Sequence, residues 1–257
     1  MAKFSEEIIA QIQKELGSSI PQLSINCVIF RFNGTALQIP VVQPIHADIW
    51  TIPGGFIRQL EDIDDAAKRI LFEQTTLDNL LLSQFGTFGA AKREFRTEMD
   101  RFSESGIPKD LINWMSQRFV TIGYYSIVGR EQTNLQTGHF FKQVKWINVT
   151  ETRSLALDHG QLVSEALVSL RSELQSRPLI ASFMPETFTI PQLQRLYEAI
   201  LGRAVDRGNF RQSILKSKIL HKMGPSKEKT GSRPPILYQL DKKKYLNSLT
   251  QDVKLGF

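Results

Sequence analysis

Residues 50–77 read WTIPGGFIRQLEDIDDAAKRILFEQTTL and constrain the fold of this chain more tightly than any other stretch. Pro53, Gly54 and Gly55 close a loop that feeds a helix beginning near Ile63. Glycines let the backbone approach a ligand that a side chain would exclude. Asp62, Asp64 and Asp65 suit the start of that helix, where unpaired amides favour negative charge. A glycine loop delivering the chain into a helix leaves few architectures open once its flanks are read.

Those flanks are β-rich. Residues 23–32 (LSINCVIFRF) and 35–42 (TALQIPVV) form a strand pair across Asn33-Gly34, a strong hairpin signal. Residues 81–88, 119–128 and 141–149 are further strands, and Leu162, Val163, Ala166, Leu167, Leu170 and Leu174 mark a closing amphipathic helix. The opening MAKFSEEIIAQIQKEL has no signal-peptide core; its Phe4, Ile8, Ile9, Ile12 and Leu16 share one face of a helix over 3–17. Between 90 and 117 lies a charged, strand-poor insertion, too long for a simple connection. It covers a ligand site, supports a dimer contact, or forms a surface loop.

Within 54–77 the spacing resembles the Nudix box: glycine, five residues, glutamate, seven residues, then Arg-Glu-apolar-x-Glu-Glu-x-Gly-apolar. Gly55, Glu61, Arg69, Leu71, Glu73 and Leu77 match in register, whereas Ile70, Gln74 and Thr76 stand where glutamate, glutamate and glycine belong. In Nudix enzymes those glutamates hold divalent cations that polarise a diphosphate and activate water. Hard cations need oxygen ligands, usually carboxylates. Isoleucine supplies none and glutamine only a neutral carbonyl, so ordinary hydrolysis is not expected, and no catalytic or metal-ligating residue and no cofactor is assigned. The ligand candidates are Gly54, Gly55, Phe56, Arg58, Arg69, Glu73 and Arg118. Phe56 borders a base or sugar, or belongs to the core. Arg58 meets phosphate or is solvated, and Arg118, ahead of a strand, reaches phosphate. Arg69 and Glu73 form an ion pair or line the cleft, and His159 caps or anchors the closing helix.

The chain has 257 residues, which favours two domains. No apolar run approaches ~20 residues, so nothing is expected to span a membrane, and the default location is cytoplasmic. The single Cys27 sits in an apolar strand and reads as a core thiol. Net charge is +6 and unevenly spread: residues 180–257 carry 14 Lys+Arg against 6 Asp+Glu, while residues 1–179 carry 18 against 20. A basic tail on a mildly acidic body points to a polyanion partner, or to a solvated face.

The tail has its own pattern. Residues 176–185 contain two prolines and no helical period, which suits a linker. Thr187 or Thr189 can cap a helix with Pro191 in its first turn, and Leu193, Leu196, Tyr197, Ile200 and Leu201 form its apolar face. Gly202 ends it, and Asp206 caps a second helix over 207–218. There Phe210, Ile214 and Leu215 can face inward, while Asn209, Gln212, Ser213 and Lys216 line another side with groups that hydrogen-bond bases or phosphates. Residues 219–223 and 236–240 can pair as strands around a basic wing, GPSKEKTGSRPP. The DNA-contact candidates are Arg207, Asn209, Arg211, Gln212, Ser213, Lys216, Lys227, Lys229 and Arg233. A basic dimerisation domain is the competing reading.

Taken from about residue 23 to 240, the chain resembles the Nudix-related transcriptional regulators, which join a degenerate Nudix domain to a C-terminal winged helix. GTFG at 86–89, LALDH at 155–159 and FTIPQLQRLYEAILGRAVDRGNF at 188–210 carry this resemblance beside the box. It implies an α/β (α+β) Nudix-type mixed-sheet sandwich over 1–178, a linker over 179–186 and a winged helix-turn-helix domain over 187–257. It further implies a homodimer on a palindromic double-stranded DNA operator, sensing ADP-ribose or a sugar or sugar-phosphate effector. A Nudix hydrolase of ADP-ribose or a related diphosphate is the rival, and a metabolite-binding protein without DNA affinity a third reading.

Overall fold

The computed structural model describes residues 6–45, 48–93, 108–129, 134–176, 183–226, 234–241 and 243–245. They lie in two compact units, one within Met1–Phe30, Ile39–Ser126 and Asn134–Ala166, the other within Arg31–Gln38, Ile127–Thr133 and Leu167–Phe257.

The first sheet is mixed in its connections and built on one long strand. Helix α1 (Glu6–Ser18) runs directly into β1 (Ser19–Phe32), followed by β2 (Leu37–Pro44), β3 (Gly54–Arg58), α2 (Ile63–Thr75), β4 (Ser83–Phe88), α3 (Lys109–Met115), β5 (Val120–Val128) and β6 (Phe141–Asn148). A 3-10 turn (Val149–Ser154) leads into α4 (His159–Ser176). The sheet order is β4-β5-β1-β2-β6, and among the described residues β3 pairs β1 alone. β1 serves two antiparallel partners: Ser24, Ile25 and Asn26 oppose Phe56, Gly55 and Gly54, while Arg31 opposes Gln38. The turn between β1 and β2 is held by Asn33, whose side-chain oxygen accepts the amides of Thr35 and Ala36 at 2.9 and 2.8 Å, with Gly34 at φ 105°. Ile25, Cys27, Val28, Ile29, Phe30, Ile39, Val41 and Val42 are fully buried and form the sheet's share of the core.

Two expectations change. The glycine segment is not a loop: Gly54 to Arg58 is itself a strand, and the turn before the box helix comes after Arg58. The strand-poor insertion is not a surface loop throughout, since α3 folds within it; residues 94–107 lie outside the described part. Leu111 and Ile112 of α3 pack with Leu16 of α1 in a satellite cluster that also takes in Ile9, Ile12, Phe56, Trp114 and Met115. The apolar face of α1 therefore has a partner that its sequence alone does not reveal.

In the second unit, β7 (Thr187–Phe188), α5 (Ile190–Leu201), α6 (Arg207–Lys216), β8 (Leu220–Pro225) and β9 (Ile236–Leu240) follow in order. Both β7 and β8 pair with β9 antiparallel, giving a small three-stranded sheet beside a helix pair. Thr189, not Thr187, caps α5: its hydroxyl accepts the Gln192 amide, and the Gln192 side chain accepts the Thr189 amide at 2.7 Å. Gly202 at φ 71° ends α5, and the Asp206 carboxylate accepts the Asn209 amide at 2.8 Å to start α6. Tyr197 and Phe210 meet edge-on at 5.3 Å and join the two helices through their cores.

Candidate functional site

β3 and α2 place the box side chains. Arg69 lies on α2 and reaches back to β3, donating to the Phe56 carbonyl at 2.9 Å and, with Nε, to Glu61 at 2.9 Å. Glu61 also accepts the Arg58 amide at 2.7 Å. Burial pushes the Glu61 carboxyl up, but the bonds from Arg69 and the Arg58 amide, with both guanidinium charges, outweigh it and hold Glu61 below its ordinary value. Glu73 pairs with Arg69 at 3.3 Å and stands 3.7 Å from Arg58. Glu15 of α1 completes the network, taking Arg58 in a two-pronged contact at 3.1 and 3.2 Å and lying 3.7 Å from Arg69. Sequence reading did not place Glu15 here, because a helix ahead of the sheet has no spacing signal toward a box more than forty residues on.

The two glycines answer to packing. A Cβ on Gly54 would stand 2.1 Å from the Asn26 side-chain nitrogen, and one on Gly55 would stand 3.2 Å from Ile70 Cγ1. Gln74 then makes two bonds to Gly54, accepting its amide at 3.1 Å and donating to its carbonyl at 2.6 Å. This donor set does not fit a divalent cation. Ile70 offers no oxygen, the Gln74 carbonyl is bonded to Gly54, and Glu61 and Glu73 face guanidinium groups. Among the described residues no cluster of three or more His, Cys, Asp or Glu side chains is placed to hold a metal.

Phe56 turns away from the box helix. Its ring packs 5.0 Å from Trp114 and 5.5 Å from Phe119, within the cluster that Leu16, Leu111 and Ile112 form. Arg58 is ion-paired although its side chain is 39% exposed, and Arg118 is exposed just before β5. His159 is buried, and its Nδ1 accepts the Ile52 amide at 3.2 Å, tying the start of α4 to the chain entering β3. An accepting Nδ1 leaves the neutral ring's proton on Nε2. Burial lowers the imidazole from its ordinary value to about 4, with Arg93 pushing the same way and Asp158 opposing. Arg93, absent from the sequence candidates, grips Asp158 with two bonds at 2.6 and 3.0 Å and donates to the Phe119 carbonyl and the Thr121 hydroxyl. Cys27 is buried at the centre of β1, and burial drives its thiol up to about 12, far from nucleophilic use. A hollow of about 880 Å³ beside the 3-10 turn and the first turns of α4 is lined by Arg153, Asp158 and Gln161 among others. None of its lining residues belongs to the box, so it does not stand in for the box cleft.

On α6 the buried side is Phe210 and Ile214. Arg207, Asn209, Arg211, Gln212 and Lys216 are exposed and Ser213 half-buried. Leu215 does not face inward: it is 38% exposed, on the side of Gln212 and Lys216. A helix of this length has room for only a narrow buried stripe, and Phe210 with Ile214 fills it. Lys222 on β8 adds another exposed cation. Lys227, Lys229 and Arg233 lie outside the described residues. Among the described residues no helix is long and apolar enough to cross a membrane.

Comparison with known proteins matches both units. Residues 20–166 match the family model of the NUDIX domain, and residues 180–240 that of the NrtR DNA-binding winged helix domain. The ADPR responsive transcriptional repressor NtrR of Acinetobacter baylyi (strain ATCC 33305 / BD413 / ADP1) is 29% identical over 245 residues, spanning 92% of this chain and 89% of that protein. Among solved structures, Shewanella oneidensis NrtR complexed with a 27mer DNA superposes with a TM-score of 0.62 at 22% identity, over 88% of this chain and 96% of that one. A MutT/nudix family protein from Enterococcus faecalis superposes with a TM-score of 0.60 at 19% identity, over 93% and 94%. At these identities the two structures speak to the fold.

Proposed function

Because the chain belongs to the Nudix family and carries an NrtR DNA-binding winged helix domain behind its Nudix domain, we propose that it is an ADP-ribose-responsive transcriptional repressor that reads its effector without hydrolysing it. The observation that carries this reading is the pairing of an exposed basic and amide-bearing α6 with a box whose carboxylate positions are Ile70 and Gln74. Likeness to the Acinetobacter repressor over 92% of the chain supports the choice of effector and the direction of control. The sensing domain runs over 1–178 and the DNA-binding domain over 187–257, joined by 179–186.

In this reading Gly54, Gly55, Phe56, Arg58, Arg69, Glu73 and Arg118 border the effector, with Gly54, Gly55 and Phe56 acting through the shape of β3 rather than through free polar groups. The diphosphate competes with Glu15 and Glu73 for Arg58. Arg207, Asn209, Arg211, Gln212, Ser213 and Lys216, with Lys227, Lys229 and Arg233, face DNA. Two copies present α6 to the half-sites of a palindrome, and the effector acts by favouring a dimer whose half-site spacing no longer fits.

The test is a pair of measurements on the purified chain. ADP-ribose at a hundred times its dissociation constant raises stability by about 2.7 kcal/mol, and it releases a DNA fragment selected by the protein from a random pool. Turnover of ADP-ribose with magnesium at ~1 per second or faster would replace this reading with the hydrolase one.

A further inference from the structure

We propose that Gln74 is a positioning residue that commits the cleft to cation-free recognition of a phosphorylated ligand, its carboxamide serving as the missing neighbour strand of Gly54. Among the described residues β3 pairs with β1 alone, so its other edge has no ladder there. On the β1 side the Pro53 carbonyl accepts the Cys27 amide at 2.8 Å; the Gly54 amide and carbonyl therefore point outward. Gly54 is half-buried, and backbone groups shielded from water need partners. Gln74, itself buried, supplies both with one group, because a carboxamide carries the same donor and acceptor as a peptide unit.

Glutamate at this position cannot do the same. One carboxylate oxygen would suit the Gly54 amide, but the other would face the Gly54 carbonyl oxygen at the 2.6 Å now spanned by the Nε2 donor, with no proton between them. The amide is thus more than an absent ligand: it shapes the strand on which Gly55 and Phe56 ride. Ile70 reinforces the change, since it packs under Gly55 where the enzyme family places a second carboxylate. The ligand's negative charge is left to guanidinium groups. The cation-free part rests on the proposed binding of ADP-ribose in this cleft; the strand-neighbour part does not.

Two measurements on the full chain separate these parts. Without ligand, amide exchange at Gly54 is slow, and Gln74→Glu speeds it at least about tenfold at neutral pH through loss of the clamp. Lowering the pH to about 4, below the ordinary glutamate value, restores protection in the variant after correction for intrinsic rates, because a protonated carboxyl again has one donor and one acceptor. Unchanged exchange in the variant overturns the clamp. In calorimetry, wild-type affinity for ADP-ribose is the same within about twofold in EDTA and in magnesium, while Gln74→Glu binds about tenfold more weakly in both at neutral pH and recovers on acidification. A merely structural role would lower the melting temperature without that acid rescue. A tenfold or larger gain of wild-type affinity from magnesium, or full affinity in Gln74→Glu, overturns the proposal. If wild type binds no ADP-ribose in either buffer, the effector assignment and cation-free recognition fall together, and the exchange experiment still decides the clamp.

Discussion

His159 is held neutral by its surroundings. Its folded value of about 4 lies below the ordinary 6.5, so between these limits the unfolded chain binds a proton that the folded one refuses. Stability from this residue is therefore fully present above pH 6.5 and lost as pH falls toward 4, by up to roughly 3 kcal/mol at about 1.4 per unit. Denaturant titrations across that window should show the slope in wild type and a flatter profile in His159→Gln. On α6, Gln212 and Lys216 are expected to act differently from each other. Gln212→Ala should cost about 1–3 kcal/mol against the selected DNA and little against unrelated DNA. Lys216→Ala should weaken both and lower the salt-dependence slope by about 1. A gel shift over a salt series distinguishes the two patterns.

Elements of this fold are joined by a few side chains that carry more than their share. Arg93 is one: its side chain is almost wholly buried and binds Asp158, the residue just before α4, to the chain entering β5. Arg93→Ala strands Asp158 in a poorly solvated place and should cost about 3–5 kcal/mol, with Asp158→Asn in the same chain recovering a large part, as read by chemical denaturation. Tyr197 and Phe210 do the equivalent for α5 and α6. Phe210→Ala should destabilise by about 3–5 kcal/mol and abolish DNA binding, since α6 loses its footing. Such links were the least legible part of the sequence. Strand and helix periods and the Gly202 and Asp206 caps were plain, and the cap of α5 was narrowed to Thr187 or Thr189, because each is a local rule written in neighbouring residues. The Glu15–Arg58 and Arg93–Asp158 pairs were not, since nothing in their spacing marks a contact 43 or 65 residues away. The β-strand at Gly54–Arg58 was hidden for a related reason: two glycines argue for a turn unless Asn26 and Ile70 are known to press against them. Thr76 shows the reverse. It keeps the left-handed φ of 59° that the motif's glycine would adopt, so the turn survives a residue that disfavours it.

At the scale of the molecule, sensing and DNA binding are linked only if the effector distinguishes two states. Occupied and empty protein must then differ in DNA affinity by the same factor by which DNA alters effector affinity. Isothermal titration of ADP-ribose into the free protein and into its DNA complex should give affinities that differ by the same ratio seen in the DNA titrations with and without ADP-ribose. Equal affinities would sever the link. Composition marked the two domains better than it marked any side chain. The basic excess is confined to residues 180–257, and charge distribution depends on which partner a surface meets rather than on how it packs.

The Gln74 clamp also bears on ancestry. In the genetic code glutamine and glutamate differ by a single base, whereas isoleucine and glutamate differ by at least two. The easy first mutation toward a hydrolase is therefore at position 74, and it sets a carboxylate against the Gly54 carbonyl while Ile70 still supplies no second oxygen. A lineage would pass through a chain that binds neither cation nor effector well. On the proposed reading, the order in which codons can change stands between this protein and a hydrolase, and its descendants would be expected to keep recognising the effector without cleaving it.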